Sequence, residues 1–357
     1  MREEARQAFL AAAAEGYGDH MCSNLPGRKA RRFLEKASTE TAAFFGGTGT
    51  HFFSDHSVAS GLSVISMGRQ ARMRGRGHIV ASPIEKAAVL TGLRSLRQEG
   101  STISFLSCDG SGRTAPYALR EAMTEETGLV VVAWASAVSG AVQPVEALAR
   151  VAREGGAVFL TDAAEAAGRL EIDLSKTMID AMIIASHKLG SYRGVGAVIS
   201  AVDDPMLMSE APELSGSGNL PCISAMLAAM QVTCTGIPPR ARLMNQLREE
   251  LLDGLERYGV GFRLAAAKEE DLLPGAGLLQ MNRVPDRFHA RLEEEGIIVP
   301  AYDTMDRQIY LRATGKDVTA DRLDGFMGFS MGASTTILDV EDLIRAVRGI
   351  SGDRTRR

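Results

Sequence analysis

Hydrophobic and polar positions along this chain form two kinds of segment. Continuous apolar runs are typical of strands buried on both faces of a parallel sheet, and they occur at 129–134, 157–162, 181–185 and 196–200. Segments with helical spacing of apolar residues lie between such runs, at 85–98, 117–126 and 145–154. Strands that alternate with helices predict right-handed crossovers and a mainly parallel sheet covered by helices. The fold class is therefore predicted to be α/β.

The two ends of the chain differ from this central pattern. Residues 1–45 are rich in Ala, Glu, Lys and Arg and predict helix, with a break or cap at 38–41. After about residue 240, a charged helix at 242–257 precedes shorter strands at 277–281 and 308–311, and 339–347 predicts a closing helix. We predict a large domain over 1–240 and a smaller α+β domain over 241–357.

Composition adds few constraints on function. The formal net charge of −4 gives no electrostatic reason to expect nucleic acid or an anionic membrane as a partner. No apolar stretch approaches the roughly 18 residues that a membrane span needs. The four cysteines show no metal-type spacing, which fits a reducing compartment. The charged first residues do not resemble a signal sequence, so we expect a cytoplasmic protein without a metal site.

Two residues at predicted strand ends suggest chemistry. Asp162 closes one buried strand and Lys188 follows another, and in open α/β sheets ligands bind at the carboxyl ends of strands. A lysine amine forms a Schiff base with an aldehyde, and a carboxylate can keep a pyridine nitrogen protonated. Taken singly, Asp162 could instead cap a helix and Lys188 could be a surface residue. A buried aspartate also needs a cationic partner.

The sequence around these residues resembles the cysteine desulfurase branch of the class V aminotransferase family. The resemblance spans about 1–350 and is carried by 82–90, by Thr161–Leu174 with its Asp-Ala-Ala-Glu start, and by 186–197 with Ser-His-Lys. Weaker matches follow at 140–145, 214–219 and 329–332. It implies fold type I of the pyridoxal-phosphate transferases, with a seven-stranded sheet in the large domain and a smaller α+β domain.

The resemblance also implies roles for individual residues. Lys188 would hold pyridoxal 5'-phosphate as a Schiff base and then move protons at the substrate α-carbon. Asp162 would pair with the pyridine nitrogen, and His187 and Ser57 would bind the phosphate. Ser217 would reach the phosphate from a neighbouring subunit, which implies a homodimer. The full set of implied cofactor-binding residues is Asp162, His187, Ser57, His56, Glu165, Ser186, Ser217 and Lys86.

Several positions depart from the family pattern. Lys86 stands where the family has a histidine stacked on the pyridine ring, and Glu165 replaces a glutamine that contacts the ring hydroxyl. Asp55 replaces a glycine in the phosphate turn, where an anion repels phosphate. Gly328 stands where the family has an arginine that binds the substrate carboxylate. The sequence from Pro300 to Gly315 lacks the cysteine that a sulfur-transferring desulfurase requires.

Three functions are compatible with this sequence. The first is a pyridoxal-phosphate enzyme acting on a small amino acid through Lys188, of lyase or transaminase type rather than sulfur-transferring, although the resemblance also implies a sulfur-transfer protein as partner. The second is a non-catalytic paralogue with a structural or regulatory role. The third is a divergent enzyme in which Lys86, Glu165 and Asp55 form a new charged network.

Overall fold

The computed structural model describes residues 1–202, 218–265, 268–283, 287–299, 305–316 and 325–352. Contacts within the chain divide it into two compact units. The first unit comprises 1–107, 114–134 and 144–235, and the second comprises 108–113, 135–143 and 236–357. The domain boundary at residue 240 stays a prediction, since two internal segments of the first half also belong to the second unit.

A mostly parallel sheet forms the centre of the first unit, as the sequence predicts. Its seven strands among the described residues run in the order β1-β7-β6-β5-β4-β2-β3. β7 is antiparallel to both β1 and β6, and the other neighbours are parallel. The bounds are β1 Gly49–Phe53, β2 His78–Ala81, β3 Thr102–Phe105, β4 Thr127–Val131, β5 Val158–Asp162, β6 Ala181–Ala185 and β7 Gly196–Ser200.

Helices cover this sheet, and α6 shows how an apolar stripe packs against it. In α6, Val145, Leu148, Ala149 and Ala152 are buried, and this i, i+3, i+4, i+7 spacing places them on one helical face. Helix α3 packs closely on its neighbour α4, where a Cβ added at Gly68 would clash with Leu96. The helix bounds are α1 Glu3–Ala14, α2 Leu25–Phe44, α3 His56–Met73, α4 Ala87–Gln98, α5 Pro116–Ala122, α6 Val145–Glu154 and α7 Leu220–Thr233.

The start of α3 is fixed by its cap and by a close approach to β7. The carboxylate of the N-cap residue Asp55 accepts a hydrogen bond from the Ser57 N–H at 2.8 Å, which satisfies one of the unpaired donors of the first turn. A Cβ added at Gly196 in β7 would lie only 2.7 Å from the His56 Cα. Glycine at this position therefore allows the helix N-terminus to lie against the sheet.

The second unit contains an antiparallel sheet with the strand order β10-β9-β8 in the described part of the chain. Its core gathers Leu251, Leu279, Phe288, Met327 and Val347, which are all buried. The strands are β8 Phe262–Leu264, β9 Ala276–Met281 and β10 Phe326–Ser330, and the helices are α8 Ile237–Arg257, α9 Phe288–Glu294, α10 Met305–Ala313 and α11 Ile337–Gly352.

Two local predictions from the sequence are wrong. The predicted strand at 308–311 lies inside helix α10, where Arg307, Tyr310 and Leu311 are buried at helical spacing. The predicted break at 38–41 lies inside α2, and the break falls instead at 15–24. The Ser38 hydroxyl donates to the carbonyl oxygen of Thr50 at 2.7 Å, so this polar residue attaches the helix to β1 rather than ending it.

No single helix in the described ranges is both long enough and apolar enough to cross a membrane. Leu220–Thr233 and Ile237–Arg257 meet that criterion only when the two successive helices are counted together.

Candidate functional site

The carboxylate of Asp162 lies buried at the carboxyl end of the central sheet, with 1% of its side chain exposed. His56 Nε2 lies 2.9 Å from Oδ2, and the Ser60 hydroxyl donates to the same oxygen at 3.3 Å. The backbone N–H of Ala164 donates to Oδ1 at 3.0 Å. Lys86 Nζ lies 3.5 Å from Oδ2. Asp162 therefore has the cationic partner that its burial requires.

Lys188 lies just beyond the neighbouring strand β6, in a short 3-10 helix over Ser186–Leu189. Gly190 ends this turn with a φ of 85°, a left-handed conformation that glycine adopts without strain. The Lys188 Nζ lies 2.6 Å from Glu165 Oε1, and 39% of the lysine side chain is exposed. Lys188 thus combines a close carboxylate partner with access to solvent.

Lys86 connects the two carboxylates of the site. It immediately precedes α4, and its Nζ lies 3.5 Å from Asp162 Oδ2 and 3.8 Å from Glu165 Oε1. Only 17% of its side chain is exposed. Asp162, Lys86, Glu165 and Lys188 therefore form a continuous ionic network. It contains Lys86 and Glu165 of the charged network proposed for the divergent-enzyme alternative, whereas the third member of that proposal, Asp55, accepts a hydrogen bond from the Ser57 N–H at the start of α3 instead.

The ionic network sets the protonation of both carboxylates. Burial on its own raises the pKa of Asp162, but Lys86 and His56 lower it by more, so the net pKa lies below the usual range. Burial also raises the pKa of Glu165, and the nearby Lys86 and Lys188 ammonium groups again outweigh it. Both carboxylates are therefore ionised at neutral pH.

The residues expected to bind phosphate lie at the start of α3 and beside Lys188. Ser57 is exposed in the first turn of α3, and its N–H already donates to Asp55. His187 is half-buried, and its ring centroid lies 6.5 Å from that of His56. Burial lowers the pKa of His187 to about 4, with smaller contributions from Arg193 and Lys188, so the imidazole is neutral at pH 7.

The structure does not bring every predicted site residue into one hydrogen-bonded network. The Ser186 hydroxyl is fully buried and has no hydrogen-bond partner among the described residues. Ser217 lies outside the described residues. His56, predicted to be a cofactor-binding residue, contacts the Asp162 carboxylate.

Sequence reasoning missed Ser60, which contacts Asp162 at 3.3 Å and His56 Nε2 at 3.3 Å. Its signal was available in the sequence, because Ser60 follows His56 by four residues and so lies on the same face of α3. It also missed Glu85, whose fully buried side chain accepts a hydrogen bond from the Ala133 N–H at 2.6 Å. Glu85 therefore binds the backbone that follows β4 and positions the neighbouring Lys86.

Two of the departures from the family pattern fall in the second unit. Gly328 lies in the buried strand β10 and offers no side chain that could bind a carboxylate. Helix α10 and the residues after it, 305–316, contain no cysteine.

Comparisons with known proteins agree with this architecture. The family profile described as Aminotransferase class-V matches residues 16–234. A cysteine desulfurase of Bradyrhizobium diazoefficiens is 26% identical over 358 residues, covering 96% of this chain and 90% of that protein. A cysteine desulfurase of Cereibacter sphaeroides is 32% identical over 257 residues, covering 69% of this chain and 66% of that protein.

Solved structures support the fold. A NifS-like protein superimposes with a TM-score of 0.85 at 22% identity, covering 99% of this chain and 96% of the other. DndA from Streptomyces lividans gives a TM-score of 0.76 at 22% identity, with coverage of 92% and 96%. Together with the profile match, these likenesses lead to one assignment: the chain belongs to the class V aminotransferase family, in its cysteine desulfurase-like branch.

Proposed function

We propose that this chain is a pyridoxal-phosphate-dependent enzyme of lyase or transaminase type that acts on a small amino acid through the Lys188 amine. One observation carries the proposal. Lys188 and Asp162 lie at the carboxyl ends of the neighbouring strands β6 and β5, one with 39% of its side chain exposed and the other with 1%. An accessible amine can react with an aldehyde, while a buried ionised carboxylate can accept a hydrogen bond from a protonated ring nitrogen.

The chemistry of this donor set fits pyridoxal phosphate. Lys188 would hold its aldehyde carbon, Asp162 its ring nitrogen and Glu165 its ring hydroxyl, while His187 and Ser57 would face the phosphate. The buried Ser186 hydroxyl, which has no partner among the described residues, is a further donor for this group. When bound, the cofactor withdraws electrons from the carbon that carries the amino group of the substrate.

The chain's own groups then supply binding and proton transfer. Lys188 takes a proton from the substrate α-carbon and returns it, because its flexible amine is the accessible base of the site. Glu165, 2.6 Å from Nζ, orients that amine. Asp162 stays ionised through the reaction, since Lys86 and His56 keep its pKa low.

A lyase or transaminase requires no persulfide-forming cysteine, and none occurs in the sequence from Pro300 to Gly315. This sequence feature is the reason why we do not propose sulfur transfer. We propose further that the enzyme is a cytoplasmic homodimer with Ser217 contributed by the partner subunit.

A non-catalytic paralogue with a structural or regulatory role is the second candidate. Gly328 favours it, because the position lacks any side chain with which to bind a substrate carboxylate. A bidentate arginine contact with a carboxylate has no equivalent in a glycine.

The two candidates differ in whether Lys188 captures the cofactor. The purified protein is titrated with pyridoxal phosphate while visible absorbance is recorded, and the product is then reduced with borohydride and digested to find the modified lysine. The variant Lys188→Ala is compared with Lys176→Ala, which removes another lysine paired with a carboxylate, 2.8 Å from Asp173 on the surface. We expect the wild type and Lys176→Ala to form the visible band and Lys188→Ala to lack it.

A wild-type protein that stays colourless at saturating cofactor contradicts the enzyme proposal and leaves the second candidate. A protein that forms the band is then given amino acids with and without an added keto acid. Product formation that requires the keto acid identifies a transaminase, whereas fragmentation of the amino acid without it identifies a lyase.

A further inference from the structure

The candidate site has two positions at which a charged group of the cofactor would bind, one at Asp162 and one at the start of α3, and we call these the anchor points. A charged side chain of this chain already occupies each of them. The ammonium of Lys86 lies 3.5 Å from Asp162 Oδ2, the carboxylate that would accept a hydrogen bond from the cationic ring nitrogen. The carboxylate of Asp55 accepts the Ser57 N–H at 2.8 Å, at the helix end that would receive the anionic phosphate. Each side chain has the same charge sign as the cofactor group whose place it takes.

Asp162 is well satisfied without a cofactor. His56 and Lys86 approach Oδ2, Ser60 donates to it, and the Ala164 N–H donates to Oδ1. A carboxylate oxygen accepts only about two good hydrogen bonds, so a ring N–H must compete with these groups. Lys86 is the partner best able to leave, because its contact is the longest and its side chain reaches Glu165 as well.

The partial positive charge at the N-terminus of α3 is also neutralised by a side chain of this chain. A helix N-terminus attracts anions through its unpaired N–H groups and its dipole, but here Asp55 supplies the anion. Burial raises the pKa of Asp55, but the hydrogen bonds from Ser57 and the nearby imidazoles of His56 and His187 together lower it by more, so the group is ionised at neutral pH. Neutral His187 adds no positive charge for a phosphate, and the exposed residues Lys188 and Arg193 are nearby cations.

We propose that Lys86 and Asp55 are specificity-determining residues that stand in for the ring cation and the phosphate of the cofactor. The chain keeps its site ordered without a cofactor, and it binds pyridoxal phosphate only when both side chains are displaced. The inference rests on the proposed function for its location, because the anchor points are those of the Lys188 site. It predicts weak discrimination between pyridoxal phosphate and pyridoxal, which lacks the phosphate.

The test uses variants that empty each anchor point. Asp55→Gly removes the carboxylate, and Asp55→Asn keeps an acceptor for the Ser57 N–H while removing the charge, so it serves if the glycine variant fails to fold. Lys86→Gln removes the ammonium. Asp173→Gly and Lys176→Gln are matched controls, since Asp173 accepts the Ser175 N–H in the same local geometry and pairs with Lys176.

Affinities for pyridoxal phosphate and pyridoxal are measured by absorbance, and inorganic phosphate is titrated by calorimetry. We expect Asp55→Gly to bind pyridoxal phosphate roughly tenfold more tightly with pyridoxal unchanged, as removal of a charged competitor suggests. Lys86→Gln strengthens binding of both aldehydes, and the double variant combines the two gains. Inorganic phosphate binds to Asp55→Gly but not to the wild type or to Asp173→Gly.

Stability of the cofactor-free protein gives a readout independent of the aldehydes. We expect Lys86→Gln to lower the midpoint of urea unfolding more than Lys176→Gln, because Lys86 neutralises a buried carboxylate. An unchanged ratio of pyridoxal phosphate to pyridoxal affinity in Asp55→Gly and Asp55→Asn overturns the role of Asp55. Equal stability of Lys86→Gln and Lys176→Gln overturns the role of Lys86.

Failure of the proposed function has a different signature. In that case no variant forms a visible band with either aldehyde, including the double variant. The phosphate titration and the unfolding midpoints then still decide whether Asp55 and Lys86 occupy the two anchor points.

Discussion

An aspartate is buried at each end of the central sheet, and the pKa values of the two carboxyl groups are shifted in opposite directions. Asp162 closes β5 at the carboxyl end with 2% exposure, and Asp180 precedes β6 at the amino end with 9%. The pKa of Asp162 is lowered, because Lys86 and His56 outweigh its burial. The pKa of Asp180 is raised, because burial outweighs the Phe159 N–H and Arg153.

This difference separates a carboxylate with structural contacts only from one that we propose to be functional. Asp180 accepts the Phe159 N–H at 2.7 Å and contacts Arg153, whose side chain is 51% exposed, at 3.1 Å. These contacts join two neighbouring strands and need no further charge. At the other end, Lys86 and Lys188 gather around Asp162 and Glu165, and perturbed ionisable groups of this kind mark candidate functional sites.

The largest change in the free energy of unfolding is expected when each of the two aspartates is replaced separately. Asp162→Ala takes the carboxylate away from Lys86 and His56, and breaking a buried charged pair costs about 3 to 5 kcal/mol. Asp180→Ala leaves mainly the Phe159 N–H unsatisfied, which costs about 1 to 3 kcal/mol. Urea unfolding of the cofactor-free proteins measures both values. A smaller loss for Asp162→Ala than for Asp180→Ala would contradict the distinction.

The pH dependence of stability also distinguishes the two residues, because acid weakens the stabilisation by Asp162 and strengthens that by Asp180. The folded pKa of Asp162 is lower than its unfolded value, so its stabilisation is present above about pH 4 and is lost as the pH falls below it. The folded pKa of Asp180 is higher than its unfolded value, so the folded state gains stability as the pH falls through that pKa. For either residue, each unit of difference between its folded and its unfolded pKa changes the free energy of unfolding by about 1.4 kcal/mol.

Thermal unfolding from pH 7 to pH 3 of the wild type, Asp162→Asn and Asp180→Asn provides the measurement. The advantage of the wild type over Asp162→Asn should shrink towards acid pH. Relative to Asp180→Asn, the wild type should become more stable as the pH falls. Parallel curves for all three proteins would show that neither carboxylate titrates as described.

The inner strands of the sheet could be predicted from sequence because burial on both faces leaves a continuous apolar run. The predicted bounds 181–185 and 196–200 coincide with β6 and β7. The run at 308–311 could not be assigned in this way, since four residues fit a strand and a helix equally well. The burial of Arg307 at helical spacing from Tyr310 became visible only in the folded chain.

The site could be predicted only in part for a related reason. Local motifs placed Asp162 and Lys188 at strand ends, and burial required a cation for Asp162. Which cation it would be depended on contacts between residues far apart in sequence, such as Asp162 with His56 and Lys86. Asp55 and Lys86 were recognised as departures, but their spatial relation to the anchor points follows from the packing of α3 and α4 on the sheet.

A moderate loss of unfolding free energy is expected when one member of an ion pair is neutralised at each end of the sheet. Glu165→Gln removes the charge that Lys188 contacts at 2.6 Å, and because that lysine is partly solvated the loss should be only about 1 kcal/mol. Arg153→Gln weakens a more exposed pair and should cost about 0 to 1 kcal/mol. Urea midpoints of the two variants test the order. A larger loss for Arg153→Gln would place the greater electrostatic stabilisation at the amino end.

The smallest effect is expected for Ser186→Ala, and Ser60→Ala is its matched control. Both serines are fully buried, but the Ser60 hydroxyl donates to Asp162 whereas the Ser186 hydroxyl has no partner among the described residues. Removing a bonded hydroxyl costs about 0.5 to 1.5 kcal/mol, while removing an unsatisfied one is nearly neutral or stabilising. If Ser186 is kept as a donor for a bound ligand, Ser186→Ala should weaken cofactor binding while leaving cofactor-free stability unchanged. A stability loss equal to that of Ser60→Ala would instead mean that the Ser186 hydroxyl is already bonded in the folded chain.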